Sequence, residues 1–349
     1  MLHNGATHVS RLADAGAEGI GLSSGRTLPW SVGGDQSVTE QELLEADPDA
    51  APTDSKWIAG ISPDQPVCEV AGRVLGARLK AVGHTLPLAA EKSDVDVEHV
   101  HRLRVSVRRA AEAVRVFSGL IDETEVASWR DRLRRIRLAA DGARNWDVMA
   151  ERFSRGGDTP ARILDQIKAR RAEVQGPIVA VYQEFKADAC EATIEKLVQE
   201  VESHCRGEGE RRFGRRAPEY LVPVVRKFFK AAESDLTTDE SLHLLRIRTK
   251  KLRYTMEIVA VAFDSALRKE LYPQVTLFQD TLGTVNDHAT ARVLFRDWLS
   301  KSEDAEQRGF LKGLLLAEER ATEDLRAAFL ATWTPKVVSD LKRQFRDYC

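Results

Sequence analysis

From Ser62 onward, apolar residues recur at spacings of three and four between charged stretches, which is the periodicity of amphipathic helices. Alternating apolar and polar runs closed by tight turns are scarce, so the pattern predicts an all-α chain. Ser62-Pro63-Asp64-Gln65 offers an N-cap, a proline at the first helical position and a glutamine at the third, and predicts a helix start. Further starts are predicted at Asp94 or Asp96, Thr159-Pro160, Ala217-Pro218, Asp239 or Ser241, Asn286 and Thr334-Pro335, with Gly283 as a helix stop. Residues 1–61 read differently: Gly, Ser and Asp are frequent, and Asp47-Pro48-Asp49-Ala50-Ala51-Pro52-Thr53-Asp54 has the composition of a linker. A poorly ordered arm is expected there. It holds one short helix at 38–46, where Ser37 and Glu40 have capping-box spacing, and Trp30 or Trp57 would pin it to the body.

The helical region repeats itself. His101-Arg102-Leu103-Arg104-Val105-Ser106-Val107-Arg108-Arg109 aligns with His243-Leu244-Leu245-Arg246-Ile247-Arg248-Thr249-Lys250-Lys251 at an offset of 142 residues, and the same offset carries Phe153 onto Phe295. Two similar helical bundles facing each other are expected, the first spanning about 62–205 and the second about 210–349.

At about 100° per residue, His101, Arg104, Arg108 and Arg115 share one helix face, and Val100, Leu103, Val107, Val114 and Phe117 share the opposite one. In the second copy His243, Arg246, Lys250 and Arg253 form the cationic stripe, while Leu242, Leu245, Leu252, Met256 and Val259 form the face to be buried. A third cationic run, Arg130 to Arg137, supplies Arg134 and leads toward Arg144; its counterpart around Val275 to Gln279 is far less basic. Most charge runs are solvated faces of mixed sign. These stripes carry few acids, Glu112 in one and Glu257 in the other, so like charges repel unless an anion neutralises them, and the stripes predict a polyanion site.

Composition narrows the partner. With 43% hydrophobic and 30% charged residues the chain is that of a globular protein, and its longest apolar runs, such as Ile258 to Phe263, are far too short to cross a bilayer. Met1 to Leu12 is polar where a secretory leader carries its apolar stretch, so a cytoplasmic protein without membrane partners is expected. The 52 Lys and Arg balance 54 Asp and Glu to a net charge of −2, which argues against a globally basic nucleic-acid binder. Arg forks and Lys point charges suit repeated phosphates, whereas base stacking calls for interleaved aromatics, and the stripes hold only Tyr254. Inorganic polyphosphate is favoured over DNA or RNA. Cys68, Cys190, Cys205 and Cys349 lack zinc-ligand spacing and read as reduced; no metal or cofactor is expected.

The paired His-x-x-Arg-hydrophobic-x-x-Arg/Lys-Arg/Lys helices, the run continuing through Leu252-Arg253-Tyr254, and the Leu282-Gly283 to Asn286-Asp287 segment resemble the CHAD family, the conserved histidine α-helical domain, over roughly Ser62 to Tyr348. The resemblance implies two four-helix bundles around a central basic channel that binds inorganic polyphosphate, with many members found on polyphosphate granules. By motif position His101, Arg104, Arg108, Arg109, His243, Arg246, Lys250, Lys251 and Arg253 would line that channel. One departure stands out: where the first copy typically reads Arg-Asp, this chain has Arg144-Asn145.

A binding module is expected rather than an enzyme. No Glu-x-Glu-x-Lys strand of a CYTH triphosphatase, no P-loop and no spaced catalytic metal set is present; Glu200-Val201-Glu202-Ser203-His204 lacks the Lys and falls in helical sequence. Two alternatives remain open: a phosphotransfer domain that accepts a phosphoryl group on His101 or His243, and a metal-dependent polyphosphate hydrolase.

Overall fold

The computed structural model describes residues 55–155, 161–203 and 212–349. Its helices are α1 (Val67–Glu91), α2 (Glu98–Val116), α3 (Glu123–Arg155), α4 (Ala161–Glu173), α5 (Gly176–Ala187), α6 (Cys190–Ser203), α7 (Phe213–Ala232), α8 (Asp239–Val259), α9 (Tyr272–Lys301), α10 (Ala305–Thr332) and α11 (Pro335–Phe345). Short 3₁₀ turns follow α2, α8 and α11, and a π-helical turn, Leu267–Leu271, leads into α9. No strand occurs among the described residues, so the protein is all-helical there.

Several predicted boundaries move, each for a physical reason. Gln65 Oε1 does accept from Ser62 N at 2.7 Å, but it closes a turn, and α1 starts only after Pro66. A residue before proline disfavours the helical region, and 63–65 instead pairs with the start of α7, Phe213 N donating to Gln65 O at 2.9 Å and Gly214 N to Pro63 O at 2.8 Å. Ala217-Pro218 lies inside α7, which also contains Pro223. Each proline removes one ladder bond, and burial of Phe213, Ala217, Leu221, Val224, Val225 and Phe228 outweighs that loss. Gly283 and Asn286 do not interrupt α9; Asn286 spends its side chain on Thr290 and His243 rather than on a cap. Asp96 Oδ1 accepts from Glu98 N at 2.9 Å, and Thr334 caps α11 through Val337 N, close to expectation. The predicted start at Thr159-Pro160 and the predicted 38–46 helix with Trp30 lie outside the described residues.

The apolar faces read from the wheel are buried: Val100, Leu103, Val107 and Val114 on α2, and Leu245, Leu252, Met256 and Val259 on α8. One continuous core draws on both halves of the chain, α1, α2 and α3 with α7, α8 and α9. A second cluster joins the far ends of α3 and α9 to α4 and α10, where Phe153 and Phe295 meet edge to face with centroids 5.8 Å apart. Trp57 does pin its segment to the body, tilted 4.9 Å from the Tyr272 ring and covered by the Arg268 guanidinium at 4.3 Å. The reading of four reduced cysteines is corrected at Cys68, which is disulfide-bonded, whereas Cys190 and Cys349 are free. Sequence spacing does not report which thiols the fold brings together.

Helix α8 begins at Asp239, one of the two predicted starts, and Thr238 caps it, its Oγ1 accepting from Ser241 N at 3.1 Å. Thr238→Ala is expected to lower stability by about 1 kcal/mol in urea titration, with helix content retained.

Candidate functional site

Helices α2 and α8 pack against each other, and each also carries a half-buried cationic face. On α2, Arg104 Nε donates to Asp141 Oδ1 of α3 at 2.8 Å, and Arg108 reaches the same oxygen at 3.7 Å. Arg137 also reaches Asp141, at 3.4 Å. Arg144 lies one turn beyond Asp141 on α3, 3.8 Å from Glu98, and its buried Nη1 has no hydrogen-bond partner.

On α8, Arg246 and Lys250 are neither hydrogen-bonded nor ion-paired among the described residues, and Arg246 Nε is buried without a partner. Both lie within electrostatic reach of Arg104 and Arg108, so cations from the two halves of the chain meet in one cluster. Burial first, then those neighbours, lowers Arg246 to about 10 and Lys250 to about 6, while Asp287 of α9 opposes the shift in both. His101 is lowered from its usual value by burial and then by Arg144, with Glu98 opposing. His243 is exposed at the head of α8, its Nδ1 3.1 Å from Asn286 Oδ1, and Asn286 donates its amide to Thr290.

The remaining predicted residues fall elsewhere. Arg109 Nε donates to Glu257 at 2.7 Å in a buried node that also holds Arg78 at 3.8 Å, Arg253 at 3.9 Å and the Tyr272 hydroxyl at 2.7 Å. Arg253 additionally covers the Tyr254 ring at 4.7 Å. Arg115 donates twice to Glu112, at 2.9 and 2.7 Å, and once to Thr255 at 3.1 Å. Lys251 belongs to that neighbourhood, with Glu112, Arg248, Arg115 and Lys227 around it. Arg134 is exposed on α3 and bonded to Asp131 at 2.9 Å. The stripes therefore divide: their N-terminal halves gather in the central cluster, and Glu112 and Glu257 neutralise much of the charge on their C-terminal halves.

Asp141 and Arg78 escaped the sequence reading. Both had a signal: Arg78 falls on the apolar face of α1, and Asp141 lies one turn before Arg144 on the helix that faces the α2 stripe, where it pairs with Arg104. Among the described residues no group of three or more His, Cys, Asp or Glu side chains is placed to hold a metal ion, and no helix is long and apolar enough to cross a membrane.

Comparison with known proteins adds a family match and a fold. Residues 73–296 match the CHAD domain family. The crystal structure of the CHAD domain from the plant Ricinus communis superposes with a TM-score of 0.63 at 20% identity, covering 78% of this chain and 95% of that one. PptA from Streptomyces chartreusis gives a TM-score of 0.52 at 16% identity, covering 77% and 99%. No curated protein matches the chain.

Proposed function

The chain belongs to the CHAD domain family, and from that premise we propose that it is a binding module for inorganic polyphosphate, built as two repeated helical bundles around a basic channel. The observation that carries the reading is the cluster of Arg104, Arg108, Arg246 and Lys250, in which Arg246 and Lys250 have no protein partner among the described residues. Half-buried like charges cost stability in the empty protein, and a phosphate chain running between α2 and α8 supplies their counter-charge. The repeat is supported by the helix bounds. An offset of 142 carries 98–116 onto 240–258, inside α8, and carries 190–203 onto 332–345, which contains α11. Matching packing partners recur as well: α1 on α2 as α7 on α8, and α3 on α4 as α9 on α10.

Tyr254, the aromatic of the stripes, is buried under Arg253, which leaves no ring free there for base stacking and favours a chain without bases. Anchoring on polyphosphate granules follows from such binding.

A mobility shift with long-chain polyphosphate, against DNA and RNA at equal phosphate concentration, tests the reading. Polyphosphate is expected to bind tightest, with log K falling against log salt at a slope of about −0.7 per phosphate neutralised, by analogy with single strands. A flat salt dependence, or tighter binding to single-stranded DNA, overturns it.

The phosphotransfer reading draws on one observation, the His243 ring held by Asn286 at the exposed head of α8. Acid-labile phosphate on His243 after incubation with polyphosphate would establish it; a histidine that stays unmodified leaves the binding module.

A further inference from the structure

The central cluster contains cations of two chemical kinds. Arg104, Arg108 and Arg246 carry guanidinium groups, which hold their proton throughout the range in which proteins fold. Lys250, which stands at the repeat position of Arg108, carries an amine, so it is the cation of the four that can relieve the mutual repulsion by releasing a proton.

Its surroundings favour that release. Helix α2 presents Arg104 and Arg108, and Arg246 lies one turn away on α8 itself. Helix α9 presents Asp287 and Asp280, both beyond ion-pair distance from Lys250. On α7, Lys227 acts on Lys251, and the turn after α8, Ala260–Ala262, bears no charge. The Lys250 amine is half-buried without a hydrogen bond to accept its protons.

We propose that the site takes up a proton at Lys250 when it loads, so that affinity for phosphate chains falls as pH rises through the neutral range. This rests on the polyphosphate reading and adds a regulator to it. In the empty site the amine, lowered to about 6 chiefly by burial and next by Arg108, is mostly neutral at pH 7 to 8. A bound polyanion reverses the local potential and returns the ammonium to its ordinary range. Between the free and the bound values each binding event takes up close to one proton, and linkage then weakens affinity about tenfold per pH unit. The internal phosphates of a long chain do not change charge there, so the polymer contributes little to the slope. His101, also lowered from its usual value by burial and then by Arg144, is unchanged in Lys250→Arg, so that variant separates its contribution from that of Lys250.

The test uses the intact protein and two measurements. The first needs no ligand: the rate at which an acylating reagent labels Lys250, followed by mass spectrometry across pH 5 to 11, is expected to have its midpoint several units below that of exposed lysines. The second is polyphosphate affinity from pH 7 to 9, expected to fall about tenfold per unit in the native chain. Lys250→Arg, which keeps its charge, is expected to bind with a flat profile and more tightly than the native chain at pH 9; Lys250→Met is expected to be weak and flat. A native profile that is flat, a slope that survives in Lys250→Arg, or a labelling midpoint equal to that of exposed lysines overturns the proposal. A low midpoint combined with no polyphosphate shift at any pH overturns the functional reading instead, and the proposal falls with it.

Discussion

Arg246→Glu combined with Lys250→Glu is expected to lower polyphosphate affinity by roughly a hundredfold to ten-thousandfold. Each charge-assisted phosphate contact contributes about 1.5–3 kcal/mol. Two such contacts are lost, and two new carboxylates repel the chain. Circular dichroism and melting should stay near native, because the reversed side chains have no hydrogen bonds to lose and gain Arg104 and Arg108 as neighbours. The pattern of loss matters as much as its size. If the two halves built separate sites, changing α8 would leave α2 binding normally at half the stoichiometry. A shared site loses nearly everything from either half, so Arg104→Glu with Arg108→Glu should behave alike. Arg134→Glu, on an exposed residue bonded to Asp131, serves as the control and should change affinity little. A loss as large as that of the double variants would extend the site along α3.

The second large effect concerns stability. Glu257 is buried, with Arg109, Arg78 and Arg253 around it and the Tyr272 hydroxyl donating to it. Glu257→Gln keeps much of the shape and can still accept from Tyr272, but it leaves three enclosed guanidinium groups without their counter-charge. Removing one member of a buried ion-pair network typically costs about 3–5 kcal/mol, and urea unfolding should read a loss of that order. Glu233→Gln breaks an exposed pair with Lys342 and should cost at most about 1 kcal/mol. Equal effects for the two would mean that the Glu257 node contributes no more than a surface pair.

What the sequence conveyed, and what it did not, follows from the range of the interactions involved. Faces of α2 and α8 were legible because periodicity is local: the residues at one helical spacing are those that end up buried. Cluster membership was not, since Arg108 and Arg109 differ by one position and by about 100° around the helix axis, which sends one toward Lys250 and the other into the Glu257 node. No wheel shows that Glu257 lies opposite Arg109, because the two are brought together by the crossing of α2 on α8. Boundaries failed where a tertiary contact overruled a local signal, as at Pro218, carried inside α7 by its buried face, and at Gly283, which α9 passes straight through. A lysine ordinarily titrates well above neutrality, yet burial and then the neighbouring Arg108 lower Lys250 to about 6, and no position in the sequence shows that burial.

Phe153 and Phe295 hold the same place in the two halves, and their rings touch. On the repeat reading this is a residue meeting its own copy, which happens only beside a two-fold axis and is the signature of an isologous interface. On that reading the aromatic contact marks the seam between two halves carried on one chain. Covalent linkage freed the two surfaces from having to match, and that freedom admits a lysine in one half where the other keeps an arginine.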